Sequence, residues 1–272
     1  LNILGNGAFG EVYLARDTNS GEHVAVKIES PTTKRPSIRL EASILRRLME
    51  EAYFPLYKDS GTKRNDIVAH PDRNPTSDYL VMQLLGKNIS DLKKACPREI
   101  MSIGMTAWLG YHMVSSIERF HEHGLLHRDI KPANFCLSRP DDPNHPQLYL
   151  VDMGLARRWR NEDGAPRALR KKAGFRGTAR YASQAAHDGQ DLGRVDDLWS
   201  LFYLLVEALT GTLPWKGKEK DVIAKVKRAN TVPALVAGLP MAMLGFFMHL
   251  NSLDRLARPD YEAVRQCMQE MM

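Results

Sequence analysis

The stretch His127-Arg128-Asp129-Ile130-Lys131-Pro132-Ala133-Asn134 places an acid, a cation and an amide in close succession. Asp129 can accept the proton of a hydroxyl, and Lys131 can neutralise a phosphoryl group as it moves. Asn134 offers an amide oxygen to a hard metal ion. Downstream, Val151-Asp152-Met153-Gly154 supplies a second oxygen ligand on a short loop. An aspartate and an asparagine brought from two loops suit Mg²⁺, which prefers oxygen donors.

Working outward, Gly5-Asn6-Gly7-Ala8-Phe9-Gly10 fits G-x-G-x-x-G. Alone the string is weak, because it also marks dinucleotide folds and plain tight turns. A dinucleotide site needs a helix directly after the glycines, whereas Glu11-Val12-Tyr13-Leu14 reads as strand. A glycine loop between two strands lays backbone N–H groups over phosphates, and a Cβ would block the approach. Val24-Ala25-Val26-Lys27 puts a lysine on the next strand, and Glu41 follows on a helix expected over Ile38–Met49 with Leu40, Ile44, Leu45 and Leu48 inward. Read singly, Lys27 is an edge lysine and Glu41 a solvated helix residue. Read with the glycine loop, they form a pair that holds an ammonium against phosphates.

The periodicity predicts strands at Ile3–Leu4, Glu11–Ala15, His23–Glu29 and Tyr79–Leu85, with a polar loop over Gly61–Ser77 containing Pro71 and Pro75. Helices are expected from Ile89 onward. The clearest are Ile103–His121, Arg194–Leu209, Lys218–Lys227, Pro240–Leu250 and Pro259–Met271. Strands first and helices after predict an α+β chain of two lobes meeting near Gly86. The 272 residues, 43% hydrophobic and 26% charged, exclude collagen, coiled coil and wholesale disorder. The apolar windows Leu198–Leu209 and Leu235–Leu250 are broken by polar residues and fall short of the ~20 residues of a membrane span. Cys96, Cys136 and Cys267 cannot all pair and lack metal spacing, which favours a reducing, intracellular compartment. The chain opens on Leu1 rather than Met and reads as part of something longer. Net charge is +6, but residues 155–180 carry nine basic and two acidic groups, a local +7, leaving −1 for the rest.

In order and spacing these motifs resemble the eukaryotic protein kinases over essentially the whole chain. The lysine two residues after Asp129 resembles the serine/threonine class. Phe175-Arg176-Gly177-Thr178-Ala179-Arg180-Tyr181-Ala182-Ser183, Arg194-Val195-Asp196-Asp197-Leu198-Trp199-Ser200-Leu201, Leu213-Pro214-Trp215, Arg258-Pro259-Asp260-Tyr261 and Leu84-Leu85-Gly86 resemble the casein kinase 1 group. Trp199–Tyr203, Ala173–Phe175 and the long Ser138–Gln147 loop are similar to its tau-tubulin kinase branch. The resemblance implies a two-lobed kinase fold: a nucleotide-covering N-lobe over 1–85, and a C-lobe over 86–272 holding the catalytic loop, activation segment and substrate site. It implies phosphoryl transfer from MgATP to serine or threonine hydroxyls of proteins, with ATP and Mg²⁺ as cofactors. By it, Asp129 is the catalytic base, Lys131 and Lys27 assist, and Asn134 and Asp152 hold Mg²⁺. Gly5, Gly7 and Gly10 cover the phosphates. Val12, Ala25, Glu41, Met82, Gln83, Leu85 and Cys136 complete the nucleotide site, with Met82 as gatekeeper and Gln83–Leu85 as hinge. Thr178 shapes the substrate site.

Three departures qualify the resemblance. The usual aspartate–phenylalanine–glycine reads Asp152-Met153-Gly154, which raises the alternative of an ATP-binding scaffold without phosphotransfer. Ser183-Gln184-Ala185 lacks the usual glutamate, so Arg258, standing where its partner arginine would be, is expected to reach solvent. Residues 155–177 contain no Ser, Thr or Tyr, so activation is expected without phosphorylation there. The basic residues are retained, with Arg176 and Arg180 expected to contact acidic or pre-phosphorylated protein substrates. Nucleic-acid binding is disfavoured because no recognition motif accompanies the basic run. No membrane partner is expected. His121 and His123 read as a helix end.

Overall fold

The computed structural model describes residues 2–7, 10–29, 33, 36–64, 76–229 and 232–272. Ala8 and Phe9 of the glycine loop, and 65–75 with Pro71 and Pro75, lie outside the described residues. The strands are β1 (Asn2–Gly7), β2 (Gly10–Arg16), β3 (His23–Ile28), β4 (Tyr57–Arg64), β5 (Thr76–Gln83), β6 (Leu125–Leu126), β7 (Phe135–Leu137), β8 (Leu148–Leu150) and β9 (Arg157–Arg158). The helices are α1 (Ile38–Arg47), α2 (Ile89–Ala95), α3 (Ile103–Glu122), α4 (Gln184–His187), α5 (Arg194–Thr210), α6 (Lys220–Ala229), α7 (Val232–Val236), α8 (Met241–Ser252) and α9 (Tyr261–Gln269). The result is the α+β architecture that the residue pattern predicts: an antiparallel sheet early in the chain, helices after it. No described helix is long and apolar enough to cross a membrane.

Two compact units form. The first comprises 1–86 and 137–154, the second 87–136 and 155–272. In the first, five antiparallel strands take the order β1-β2-β3-β5-β4. Register carries the functional consequence, because directly opposed residues share a face. Val12 faces Lys27, Leu14 faces Ala25, and Ala25 faces Met82, so Val12, Ala25, Lys27 and Met82 lie on one face. Gly10 has φ +135°, and a Cβ there would collide with the Ile28 carbonyl; only glycine tolerates both conditions. Helix α1 buries Ile38, Glu41, Ala42, Ile44 and Leu45, whereas Leu40 is 44% exposed. The helical phase runs through Ile38, so Leu40 falls outside the buried stripe.

Strand β4 corrects the expectation of a loop beginning at Gly61. Its sequence, YKDSGTKR, alternates poorly because it is the edge strand with little to bury, and edge strands favour such polar residues. Residues 137–154 join this unit through local bonds: Gly86 N–H donates to Leu137 O at 2.8 Å, Ser138 N–H to Gln147 O at 2.7 Å, and Leu150 N–H to Tyr53 O at 2.9 Å.

The second unit is built on α5, whose Leu198, Leu201, Phe202, Leu204 and Leu205 are almost fully buried. It packs on α3 and α8, and α3 packs on α9. The ends are conventional. Ser102 Oγ accepts from Met105 N–H at the start of α3 and Asp260 Oδ1 from Ala263 N–H at the start of α9, and α5 stops at Gly211 with φ +79°.

Candidate functional site

In the strand unit, register and the α1 phase deliver one cluster. Lys27 Nζ lies 2.6 Å from Glu41 Oε2 and 2.9 Å from Asp152 Oδ1. Lys27 is 6% and Glu41 1% exposed. Burial works against the lysine's charge, but the two carboxylates overcome it and hold Lys27 above its ordinary range. Glu41 Oε1 also accepts the Met153 N–H at 3.2 Å. Met153 itself is fully buried, so the methionine of the departed motif is a packing residue. Asp152 has φ +63°, a conformation that costs a non-glycine residue about 1–3 kcal/mol. An acid this strained, beside a buried ammonium, marks a functional position rather than a packing one.

The hinge residues divide. The Gln83 N–H donates to Leu56 O at 2.9 Å, so it is not available to a ligand. Leu85 sits one residue before Gly86, whose Cβ would overlap the Ser138 carbonyl.

In the helical unit the Asp129 cluster assembles independently. Thr178 Oγ1 donates to Asp129 Oδ1 at 2.7 Å, and Lys131 Nζ to Asp129 Oδ2 at 2.7 Å. Asn134 Nδ2 donates to the Asp129 carbonyl at 2.9 Å. That bond orients the amide, and among the described residues no hydrogen bond uses its Oδ1, leaving a hard oxygen for a cation. Cys136 pairs in a bridge with Asn88. Burial pushes its thiol up to about 12, so it is an inert apolar wall and not a nucleophile.

What holds the cluster was not read from the sequence. Arg128 has φ +67°, and the strained turn is pinned by Asp197. Asp197 Oδ2 accepts the His127 N–H at 2.8 Å and its Oδ1 the Arg128 N–H at 2.8 Å. His121 Nε2 lies 2.9 Å from Asp197 Oδ2, and His121 Nδ1 lies 2.7 Å from the Tyr261 hydroxyl. Burial pushes Asp197 up, but these donors outweigh it and keep the carboxyl below its ordinary range. His121 is therefore part of the support of the catalytic loop, correcting its reading as a plain helix end. The available signal was Asp197 itself, an acid inside the apolar run that becomes α5.

Arg180 is also corrected. Its Nη1 lies 3.2 Å from Glu207 Oε1, and the Tyr181 hydroxyl donates to Glu207 Oε2 at 2.5 Å. The guanidinium is thus committed to a buried internal carboxylate. Arg176 lines the same small pocket as Arg128, Asp129 and Thr178, and its Nη1 donates only to the Phe175 carbonyl. Burial, joined by Arg157, Arg170 and Arg176, pulls the Arg128 guanidinium down to about 10. Arg157 and Arg170 share Asp191, at 3.6 and 2.7 Å.

Replacing Thr178 with alanine removes the donor that holds Oδ1 of the Asp129 carboxylate, leaving Lys131 and the longer bond from Asn134 on Oδ2. A rate loss of roughly tenfold is expected from the lost hydrogen bond. Serine, which keeps the hydroxyl, should restore the rate. Steady-state assays of both variants check this, and equal rates for alanine and serine would discard the positioning role.

Each unit carries donors that suit such groups: in the strand unit a buried ammonium for phosphates and the Asp152 carboxylate, and in the helical unit the Asn134 amide oxygen, both oxygens of the kind Mg²⁺ prefers. A family model described as protein kinase domain matches residues 1–251. The chain is also 42% identical over 260 residues to a protein of Dictyostelium discoideum described as a probable serine/threonine-protein kinase. That alignment covers 95% of the chain and 50% of the relative, so the chain spans about half the relative's length.

Proposed function

Since the chain belongs to the protein kinase domain family, we propose that it transfers the γ-phosphoryl group of MgATP to serine and threonine hydroxyls of protein substrates. The observation that carries this reading is the Asp129 carboxylate, oriented by Thr178 and Lys131 at 2.7 Å each. An acceptor hydroxyl beside Asp129 gives up its proton to that carboxylate as it attacks in line. The new acceptor O–P bond forms as the bond between the γ-phosphorus and ADP breaks, ADP leaves, and Lys131 offsets the charge on the phosphoryl group as it moves. Bound MgATP supplies the phosphoryl group and the metal's share of charge neutralisation. Lys27, kept charged by Glu41 and Asp152, steadies the phosphates under the backbone of Gly5, Gly7 and Gly10. Asn134 and Asp152 offer the oxygens that hold Mg²⁺. Val12, Ala25 and Met82 on their shared sheet face offer an apolar surface to adenine. Positioning and fixed charge account for the rate enhancement.

Within the family we place the chain in the casein kinase 1 group, in the tau-tubulin kinase branch, on the strength of Phe175–Ser183 and Trp199–Tyr203. The positive pocket at Arg128 and Arg176 favours acidic or pre-phosphorylated substrates. The absence of Ser, Thr and Tyr from 155–177 favours activity without phosphorylation of that stretch, since Asp191 already supplies a carboxylate to Arg157 and Arg170. The cysteine usage favours an intracellular setting.

The test is phosphate transfer from labelled ATP to casein and to a basic protein in parallel. Casein should be preferred, and Arg176→Gln should raise KM for casein several-fold while leaving the basic substrate unchanged. Equal loss on both substrates would remove the acidic preference. No transfer to either, with ATP still bound, would remove the kinase reading itself.

A further inference from the structure

Arg160, Arg194 and Arg258 converge on a cleft of about 190 Å³ walled by Trp159, Tyr261 and His121. All belong to the helical unit; His121 and Tyr261 also help hold Asp197, and none of the three arginines belongs to the Asp129 cluster. The Arg194 guanidinium carbon sits 4.2 Å from the centroid of the Trp159 ring, and Arg194 Nη2 donates to Leu256 O at 3.2 Å. The Arg160 guanidinium carbon lies 5.4 Å from the same centroid, and Arg160 donates to the Glu122 carbonyl. Neither arrangement neutralises a charge. Arg258 is exposed at the rim.

Elsewhere in this unit, crowded arginines are given carboxylates: Asp191 serves Arg157 and Arg170, and Glu207 serves Arg180. At this cleft, no carboxylate among the described residues lies within ion-pair distance of Arg160, Arg194 or Arg258. The one acid on the rim, Glu122, is engaged by Arg119 at 2.9 Å. Burial lowers the Arg194 guanidinium, and Arg258 and Arg160 push it the same way. Three like charges are thus held together, two of them preorganised on an indole ring, which is the arrangement arginine uses for phosphate. A second groove of about 60 Å³ shares Trp159 and Arg194 with the cleft and continues past Pro166, Leu169, Leu192 and Leu256. A free anion has no use for that apolar lining, whereas a peptide side chain does.

We propose that this cleft binds the phosphate of a phosphorylated protein segment, with a neighbouring apolar side chain of that segment in the groove beyond Trp159. The site does not depend on phosphate transfer at Asp129. Three guanidiniums approaching from different elements match a tetrahedral dianion better than a planar carboxylate. Arg258, whose usual kinase partner this sequence lacks, acquires a role as the exposed member of the trio.

The test is calorimetric titration of the whole chain with a short alanine-based peptide carrying one phosphoserine and, two positions away, one leucine. The unphosphorylated peptide and inorganic phosphate are titrated alongside. The phosphopeptide should bind, the unphosphorylated peptide should not, and Arg258→Gln should weaken binding by about tenfold or more. Replacing the leucine with alanine should weaken it further, and Arg258→Gln should weaken binding by a similar factor in an Arg176→Gln background, which removes the contribution of the other basic pocket. Arg258 is exposed, so its variant retains the fold, as a melting curve will verify; Arg194→Ala adds a second, stronger loss if it folds. Unchanged affinity in Arg258→Gln, or a loss confined to Arg176→Gln, overturns the site. Inorganic phosphate binding as tightly as the phosphopeptide, with the same sensitivity to Arg258→Gln, reassigns the cleft to a free anion and overturns the phosphoprotein partner.

Discussion

Asp129→Asn lowers the rate of phosphate transfer by roughly two to four orders of magnitude, the range for losing a positioned general base, and leaves the fold intact. Asp129 is 5% exposed and receives donors on both oxygens, Thr178 on one and Lys131 on the other. Asparagine is isosteric but can accept on only one side, so its amide nitrogen faces either the hydroxyl or the ammonium. The substrate proton then has no acceptor, and Lys131 loses its counter-charge. The loop backbone is held elsewhere, by Asp197 through the His127 and Arg128 N–H groups, so the variant melts close to the parent and still binds nucleotide. Transfer within tenfold of the parent would strip Asp129 of its role as base. Parallel loss of nucleotide binding and of thermal stability would mean that the change had damaged structure rather than chemistry.

Glu207→Ala produces the largest loss of stability. Glu207 is 1% exposed and accepts from the Tyr181 hydroxyl at 2.5 Å and Arg180 at 3.2 Å. Truncation leaves a buried hydroxyl and a guanidinium without their acceptor. Removing one partner of a buried ion pair costs about 3–5 kcal/mol. The Arg180 side chain is 34% exposed, and water recovers part of its solvation, so about 2–4 kcal/mol is expected. In a chain of this size that lowers Tm by roughly 5–15 °C. Glu207→Gln, which keeps an acceptor and the volume, should fall between parent and alanine. The damage should also reach the segment from Thr178 to Ser183. Its Arg180 carbonyl accepts from Trp215 Nε1 at 2.8 Å, and its Ala179 and Ala182 carbonyls from Lys227 Nζ at 3.1 and 2.5 Å, so loosening one tie transmits strain to the others. A thermal scan decides it: a drop of under 2 °C would mean that Glu207 is not what anchors this segment.

These two residues show where sequence reading succeeds and where it stops. Asp129, Lys131, Asn134, Lys27, Glu41 and Asp152 stood out in the sequence as candidates, and the structure brings Lys27, Glu41 and Asp152 into one cluster and Asp129, Lys131 and Asn134 into another. Their chemistry is bound to short spacings, and a carboxylate, an ammonium and an amide in that order have few other uses together. Glu207 was not legible, because a glutamate within an apolar helical run carries no mark of the tyrosine and arginine folded against it from the 178–183 segment. His121 was read as a helix end for the same reason: its partners, Asp197 and Tyr261, are distant in sequence. Arg180 looked available for substrate because sequence shows its charge and not its acceptor.

The sequence by itself determined the element types with strong periodicity, the α+β order and which residues stand as candidates for the chemistry, because local spacing and side-chain chemistry are properties of adjacent residues. It missed β4, whose edge position needs no alternation, and it placed Leu40 on the wrong side of α1. Only the tertiary structure decided which charges are spent internally and which remain available. Arg157, Arg170 and Arg180 find carboxylates, whereas Arg160, Arg194 and Arg258 find none among the described residues. A charge is neutralised by what lies within a few ångströms, and through-space distance is set by packing between segments far apart along the chain.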